Sequence, residues 1–364
     1  MKLGIVGLPN VGKSTLFNAI TKAGAQSANF PFCTIEPNIG KVVVPDKRVD
    51  ILEKMYDSEK KNFASIEFVD IAGIVKGASK GEGLGNKFLG NIREVDAIVH
   101  VVRCFDDPNV IHVSDKANPE DDIKTINIEL ILADLETVNK KMVKTEKLAK
   151  ANDKESIKEL NVLKKIKENL ENETPVRAIK MTKDEQLIAN SFYLITSKPV
   201  IYACNINESD INTPENNDYI KIVEKISKNE NSSLVYFSAK IEEELSKLDD
   251  SEAKAFKNEL GIKKSGLDKL ITASYYILGL ISFLTAGKKE VKAWTVKKGS
   301  TAPQAAGKIH TDFEKGFIKA EVIHFDDLYD SGSYSKAKEL GKIRLEGKSY
   351  IVKDGDVILF RFNV

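Results

Sequence analysis

The stretch Gly7-Leu8-Pro9-Asn10-Val11-Gly12-Lys13-Ser14 decides the fold of this chain. It follows an apolar run, Leu3 to Val6, that predicts a strand, and it precedes Thr15 to Lys22, whose apolar residues recur at helical spacing. Strand, glycine turn and helix are the order of a phosphate-binding loop, in which backbone N–H groups and the helix dipole face an anion. We therefore expect residues Asn10 to Thr15 to hold phosphate. An ordinary glycine turn between strand and helix is the alternative.

Side chains around this loop predict a metal site beside the phosphates. Lys13 is expected to reach the β- and γ-phosphates, and the Ser14 hydroxyl to ligate Mg²⁺. A second apolar run, Ser65 to Val69, leads into Asp70-Ile71-Ala72-Gly73. There Asp70 would hold Mg²⁺ and the Gly73 N–H would sense the γ-phosphate. A lone D-x-x-G also fits a surface turn, so this prediction depends on the upstream loop.

Length and composition limit the class of protein. The chain has 364 residues, enough for two or three domains, and its 42% hydrophobic and 30% charged residues are typical of a soluble globular protein. Lys and Arg number 55 against 54 Asp and Glu, so no overall charge attracts nucleic acid or a membrane. Cys33, Cys104 and Cys204 lack metal or redox spacing and predict reduced thiols in the cytoplasm. The first strand starts at once, so no signal peptide is expected.

Later apolar runs predict an α/β fold. Ala97 to Arg103, Lys198 to Asn205 and Leu234 to Phe237 are expected strands. The helical segments between them imply a mostly parallel sheet with helices on both faces. Ile277 to Leu284 is too short to span a membrane and is expected to be a buried helix that joins two domains.

An insertion between the third and fourth strands of this sheet predicts an antiparallel helical hairpin. Apolar residues recur three and four apart from Ile128 to Met142 and again from Ile157 to Leu170, with Asn152-Asp153 at the turn. From Lys140 to Glu168, ten lysines stand against five acidic residues. We expect this basic arm either to bind RNA phosphates or to be the solvated surface of a coiled coil.

From about Lys288 the pattern changes to a small α+β module. The expected helix and strands are, in order, Val291 to Val296 (strand), Ala302 to Ile309 (helix), Phe317 to Ile323, Gly347 to Val352 and Val357 to Phe362 (strands). The module contains no recognisable set of acid, base and nucleophile, so we interpret it as a binding or regulatory domain.

Several motifs together resemble the YchF family of Obg-like ATPases, P-loop proteins of the translation-factor class. The motifs are GLPNVGKST (7–15), NFPFCTIEPN (29–38), DIAGIVKGASKGEGLGNKFL (70–89), NINE (205–208), FLTAGKKEVKAW (283–294) and GKIHTDFEKGFIKAEV (307–322). This resemblance covers nearly the whole chain. It implies a P-loop G domain (1–125 and 195–280), a helical coiled-coil insertion (126–194) and a C-terminal TGS domain with a β-grasp fold (281–364).

The expected base-reading turn is Asn205-Ile206-Asn207-Glu208, and it departs from the N-K-x-D of GTPases. Ile206 cannot replace the lysine, and Glu208 is one methylene longer than the guanine-binding Asp. Asn205 would still bond the base, and Ser238-Ala239-Lys240 would close the pocket. These differences agree with the family's preference for ATP, which we expect here, with GTP use as the alternative.

The expected hydrolytic groups also differ from those of Ras-like switches. Ile74 stands where such proteins place the glutamine that orients water. The resemblance implies that His112 assists hydrolysis, although a structural histidine is the alternative, and that Thr34 of switch I helps to organise phosphates and Mg²⁺. Asn10 is expected either to ligate K⁺ or simply to form the turn.

Together these observations predict a slow, Mg²⁺-dependent ATPase of the cytoplasm that acts as a switch on or near the ribosome. The expected partners are ATP and the ribosome or ribosomal RNA, with no DNA and no membrane, and the chain is expected to be a monomer. The alternative is a nucleotide-gated binding module in which hydrolysis only resets complex formation.

Overall fold

The computed structural model describes residues 1–26, 38–71, 84–107 and 117–363. The chain forms two compact units, of which the first comprises 1–41 and 67–273 and the second comprises 42–66 and 274–364. The second unit thus includes residues 42–66, a segment that the sequence analysis assigned to the G domain.

Strands and helices alternate through most of the described chain. The strands are β1 (Lys2–Val6), β2 (Ile39–Val43), β3 (Lys61–Asn62), β4 (Ser65–Asp70), β5 (Ala97–Arg103), β6 (Val200–Asn205), β7 (Ser233–Phe237), β8 (Leu280–Ala286), β9 (Val291–Lys297), β10 (Phe317–His324), β11 (Arg344–Glu346) and β12 (Asp356–Phe362). The helices are α1 (Lys13–Gln26), α2 (Lys47–Tyr56), α3 (Leu84–Glu94), α4 (Pro119–Ala149), α5 (Lys154–Glu171), α6 (Lys183–Asn190), α7 (Asp218–Asn229), α8 (Ala239–Leu245), α9 (Asp250–Glu259), α10 (Gly266–Ile277), α11 (Ala302–Ile309), α12 (Thr311–Lys315), α13 (Phe325–Ser331) and α14 (Tyr334–Glu339). Within these ranges, no helix has the length and apolar character needed to cross a bilayer.

The first sheet has the order β2-β4-β1-β5-β6-β7. Strand β1 pairs in parallel with β4 and β5, and the β5–β6 and β6–β7 pairs are parallel as well. Every residue of β5 and β6 is buried, as expected for central strands covered on both faces. The predicted α/β sheet is confirmed, and it brings the carboxyl ends of β1, β4 and β6 to one edge.

The predicted helical hairpin is confirmed as α4 and α5. The Asp153 side chain caps α5 by accepting from the Ser156 N–H at 2.9 Å, and Asn152 adopts a positive φ of 60° at the turn. Val138 and Leu163 are buried in the seam, in the same apolar cluster. The predicted second stripe is wrong at Ile157, whose exposure is 39%, whereas the unpredicted Val162 is buried.

Five of the ten arm lysines form ion pairs with glutamates. The pairs are Lys140–Glu136, Lys141–Glu159, Lys158–Glu155, Lys165–Glu185 and Lys167–Glu171. Surface pairs of this kind contribute little stability, so they leave both interpretations of the basic arm open.

The second sheet has the order β11-β10-β12-β8-β9-β3. Strands β8 and β12 are parallel at its centre, and β8–β9, β12–β10 and β10–β11 are antiparallel. Helix α11 adds Ala302, Ala305 and Ala306 to an apolar core with Phe283 and Phe360. Because alanine side chains are small, the helix backbone can approach the sheet closely. The second sheet and α11 together form the predicted β-rich C-terminal module.

Two predicted elements in the second half of the chain are wrong. Ile277 to Leu284 is not one helix, because α10 ends at Ile277, Gly279 has a φ of 63° and β8 begins at Leu280. Glycine tolerates this left-handed conformation and so ends the helix. Gly347 to Val352 is a turn in which the Tyr350 N–H donates to the Gly347 carbonyl, and only Ile351 makes a bridge, to Thr301.

Cys104 and Cys204 are both buried free thiols, in agreement with the predicted reduced state. Cys104 directly follows β5, and Cys204 lies in the adjacent strand β6. Burial, together with a hydrogen bond to Cys204, raises the pKa of the Cys104 thiol well above its usual value. Cys33 lies outside the described residues.

Candidate nucleotide site

The predicted phosphate loop connects the buried strand β1 to helix α1. Asn10 and Gly12 have positive φ angles of 63° and 94°, which fold the loop back on itself before the helix. The helical hydrogen bonds begin with the Leu16 N–H, which donates to the Gly12 carbonyl at 2.9 Å. The N–H groups that precede it have no helical partner and carry the positive end of the dipole, so this loop suits an anion.

Two glycines of the loop are required by close approach. A Cβ on Gly7 would stand 2.8 Å from the Val101 carbonyl oxygen and 2.9 Å from a methyl group of Val11. A Cβ on Gly12 would collide with the Asn205 side-chain amide, and its φ also favours glycine. The loop therefore needs glycine at both positions to pack beside β5 and β6.

The loop lysine contacts the aspartate at the end of β4. The Lys13 Nζ lies 3.1 Å from Asp70 Oδ1, and the two side chains are only 12% and 21% exposed. The Asp70 N–H in turn donates to the Asn38 carbonyl at 2.9 Å. Residues 57 positions apart in the sequence thus meet because β1 and β4 are neighbours in the sheet.

The donor chemistry at this edge fits Mg²⁺. Asp70 offers a carboxylate and Ser14, exposed in the first turn of α1, offers a hydroxyl, and Mg²⁺ prefers such hard oxygen ligands while it retains water. Thr15 follows in the same turn, where its N–H also points toward the loop. Among the described residues there is no cluster of three or more His, Cys, Asp or Glu side chains that resembles a self-contained metal site.

Asn205 joins the phosphate loop to the second expected pocket segment. Its Nδ2 donates to the Val11 carbonyl at 3.0 Å, and its Oδ1 accepts from the Ala239 N–H at 2.9 Å. The side chain is 4% exposed. Asn205 therefore holds residues 11 and 239 at fixed positions, a role that the sequence analysis did not foresee. A buried polar residue at the end of a strand was its only sequence signal.

The remaining base-turn residues are occupied with protein contacts. Ile206 is 2% exposed and its N–H donates to the Phe237 carbonyl at 2.9 Å. The Glu208 carboxylate lies 2.8 Å from Lys240 Nζ, and this hydrogen bond raises the pKa of Lys240 above its usual value. Ser238 is buried just before α8. The acidic side chain of the turn is thus ion-paired with the segment that was expected to close the pocket.

A buried network, which no sequence motif predicted, anchors the hairpin beside β6. The Arg177 Nε lies 2.9 Å from Glu230 Oε2, with side-chain exposures of 6% and 9%. The Tyr202 hydroxyl donates to the same oxygen at 2.6 Å, and Arg177 Nη2 donates to Asn127 Oδ1 of α4 at 2.9 Å. Nearby, burial lowers the pKa of His100 to about 3, so its ring is neutral at physiological pH. The arm is therefore fixed by paired charges as well as by apolar packing.

Several predicted site residues lie outside the described residues. These are Thr34, Gly73 and His112, as well as Ile74 at the position of the missing glutamine. The structure brings Lys13 and Asp70 together at the phosphate end of the site. At the base end, Asn205 joins Ala239 to the phosphate loop.

The parallel sheet, the phosphate loop and its paired lysine and aspartate define a P-loop nucleotide-binding protein with a GTPase-type domain. Sequence comparison agrees, because a family model described as 50S ribosome-binding GTPase matches residues 2–205. A second family model, a C-terminal YchF domain described as a protein of unknown function, matches residues 280–363.

Relatives that match along nearly the whole chain identify the family within this class of P-loop proteins. The chain is 55% identical over 361 residues to the "Ribosome-binding ATPase YchF" of Bacillus subtilis, covering 99% of each protein. It is 53% identical over 363 residues to the protein of the same name from Escherichia coli O157:H7, covering 100% of this chain and 99% of that protein. The solved structure of the Schizosaccharomyces pombe YchF GTPase matches with a TM-score of 0.89 and 41% identity, over 99% of this chain and 97% of that one. The chain belongs to the YchF family.

Proposed function

We propose that this chain is a cytoplasmic ATPase of the YchF family that binds ATP with Mg²⁺, hydrolyses it slowly and associates with the ribosome. The names of the bacterial relatives support ATP hydrolysis and ribosome binding. The observation that carries the choice of nucleotide is the base end of the site. There Ile206 is buried in place of a lysine, and Glu208 is paired with Lys240.

In the proposed mechanism, Lys13 leaves Asp70 when the nucleotide binds and contacts the nucleotide phosphates instead. Lys13 would bind the β- and γ-phosphates, while Ser14, Thr34 and Asp70 would hold Mg²⁺. When bound, Mg²⁺ neutralises charge on the phosphate oxygens. The Gly73 N–H would sense the γ-phosphate, and His112 would orient the attacking water in place of a glutamine.

Calorimetric titration with ATP and with GTP tests the choice of nucleotide. A guanine base needs an acceptor for its N1–H and amino group, and an acidic residue already paired with Lys240 provides a poorer one. We therefore expect ATP to bind more tightly than GTP. Affinity for GTP at least about tenfold higher than for ATP, or about 1.4 kcal/mol, would refute this assignment and favour the GTPase activity that the S. pombe relative's description names.

Sedimentation with ribosomes in ATP, in ADP and without nucleotide tests the second part of the proposal. We expect co-sedimentation in at least one state, with a dependence on nucleotide if the chain is a switch. Absence from ribosomes in all three states would contradict ribosome association. Binding that is unaffected by blocked hydrolysis would favour the alternative, a nucleotide-gated RNA- or ribosome-binding module that hydrolysis only resets.

Asn10 suggests a further ion. Its positive φ of 63° fits either a K⁺ ligand or a turn-forming role. Turnover in KCl compared with NaCl at equal ionic strength separates the two, because equal rates exclude the K⁺ role.

A further inference from the structure

The second unit contains an aromatic cavity that the nucleotide site does not use. Its volume is about 480 Å³, within the range of small-ligand pockets. Its lining includes six aromatic side chains, which are Tyr56, Trp294, Phe313, Tyr334, Phe360 and Phe362. Phe313 and Phe362 stack on each other with their ring centroids 3.6 Å apart.

The cavity lies against the two central strands of the second sheet. Strands β8 and β12 are in register at Leu284 and Val357. The residues that follow on each strand, from Thr285 and from Ile358, line the cavity.

Most polar atoms of the wall already have partners in the protein. The Tyr334 hydroxyl donates to Glu321 at 2.6 Å, and the Trp294 Nε1 donates to Thr285 at 2.9 Å. The Glu290 carboxylate accepts from the Asn62 amide through one oxygen. Its other oxygen has no hydrogen bond to any residue in the described ranges, so the cavity offers aromatic surface and at least one acceptor. Such a wall suits a flat ring that carries an N–H, and it does not suit a phosphate.

Lysines lie next to lining residues of this cavity along the chain. Residues 287–289 connect two lining residues, Ala286 and Glu290, and this loop is fixed by Ser58 Oγ, which donates to the Gly287 carbonyl at 2.7 Å. Lys288 and Lys289 are exposed, and neither forms an ion pair with any described part of the chain. On β9, the Lys292 ammonium lies 3.8 Å from the centroid of the Trp294 ring.

We propose that this cavity binds an unpaired base of single-stranded RNA, with Lys288 and Lys289 on the adjacent phosphates. Aromatic surface next to unpaired cations is the common arrangement of single-strand binding, because bases stack on the rings while lysines neutralise the backbone. A peptide side chain would not need lysines next to the cavity, and a free nucleotide would not need lysines that extend beyond it. The proposal rests on the proposed ribosome association only for the source of the RNA.

The single tryptophan of the chain provides a direct assay, because Trp294 lines the cavity. A short single-stranded oligouridylate is titrated into the full-length protein with excess Mg-ATP, which fills the P-loop site, while tryptophan fluorescence is recorded. We expect saturable quenching. An oligomer of the same length without bases should bind weakly and leave the fluorescence unchanged. Equal quenching by uridine monophosphate at the same concentration would overturn the assignment to RNA.

Matched variants separate stacking from charge. Phe362→Ala removes a wall ring that is 37% exposed, and we expect about tenfold weaker oligouridylate binding, as for loss of one stacked base. Lys288→Gln with Lys289→Gln should weaken binding and reduce its salt dependence by about one to two released ions. Tyr329→Ala, an exposed aromatic of the same unit outside the cavity, is the control and should change neither.

Parental oligouridylate affinity in the Phe362→Ala protein, with an unchanged melting temperature, would refute the base site. That result would leave ribosome sedimentation unaffected, so it would be distinct from failure of the proposed function. Conversely, quenching that disappears in Phe362→Ala while the protein still sediments with ribosomes would support the cavity as one RNA contact among several.

Discussion

Replacement of Asn205 by alanine tests whether this residue holds the nucleotide site together. The substitution removes the acceptor of the Ala239 N–H and the donor to the Val11 carbonyl, two bonds of 2.9 and 3.0 Å in a buried environment. Both backbone groups would remain buried without these partners. We therefore expect the Asn205→Ala protein to be less stable and to have a less ordered phosphate loop.

The magnitude follows from the two orphaned groups. Each buried polar group that loses its partner costs about 1–3 kcal/mol, so the free energy of unfolding should fall by about 2–6 kcal/mol. For a unit of this size, that corresponds to a decrease in melting temperature of roughly 4–24 °C. ATP affinity should fall at least about tenfold, because the loop no longer has a fixed geometry before it binds phosphate.

Urea unfolding and ATP titration of the same preparations measure both effects. The control is Asn212→Ala, which removes one exposed hydrogen bond, in which the side-chain amide donates to the Leu260 carbonyl at 3.0 Å. This control should stay close to the parent protein in both assays. If Asn205→Ala unfolds within about 0.5 kcal/mol of the parent and binds ATP normally, the inferred role of Asn205 is wrong.

Three further predictions concern the anchor of the arm, a buried acid and the proposed catalytic histidine. Glu230→Ala leaves the buried Arg177 guanidinium without its charge partner and should lower the free energy of unfolding by about 3–5 kcal/mol in urea titrations. Burial raises the pKa of Glu242 to about 7, so the native state retains a proton that the unfolded state releases near 4.5. The free energy of unfolding should therefore fall by about 3 kcal/mol as pH rises through this window. Glu242→Gln should abolish this pH-dependent part of the stability. His112→Ala should bind ATP normally and release phosphate more slowly.

Each of these predictions has a contrary outcome. Glu224→Ala breaks an exposed pair with Lys228 and should change stability by less than about 1 kcal/mol, so an equal loss in both glutamate variants would contradict the buried anchor. Parallel pH profiles of the parent and Glu242→Gln would exclude Glu242 as the titrating group. Phosphate release at the parental rate in His112→Ala would leave His112 without a catalytic role.

Local patterns predicted most of the elements correctly. The phosphate loop, the strand at Ala97 to Arg103 and the helix at Ala302 to Ile309 have the predicted bounds or nearly so, because each is a short-range combination of glycine turn, apolar run or helical spacing. Prediction failed at Ile277 to Leu284, where the apolar run is fully compatible with either helix or strand. One glycine with a positive φ and pairing with β9 and β12 decided between them.

The two ends of the candidate site differ in how well they could be predicted. Lys13 and Asp70 were expected to act together because each belongs to a motif with a known chemical role, and their contact at 3.1 Å agrees. The Asn205 bridge and the Arg177–Glu230 pair had no comparable signal. Their partners are a backbone carbonyl, a backbone N–H and a carboxylate 53 residues away.

The sequence by itself therefore determined the P-loop class, most of the strands and helices, and the substitutions Ile206 and Glu208 at the base turn, since these depend on residue type and spacing. Only the tertiary structure decided that Asn205 links the loop to Ala239, that residues 42–66 pack in the second unit and that six aromatic rings line a cavity beside unpaired lysines. The physical reason is that such features depend on strand order and packing, which join residues far apart in the chain and leave no periodic trace in the sequence.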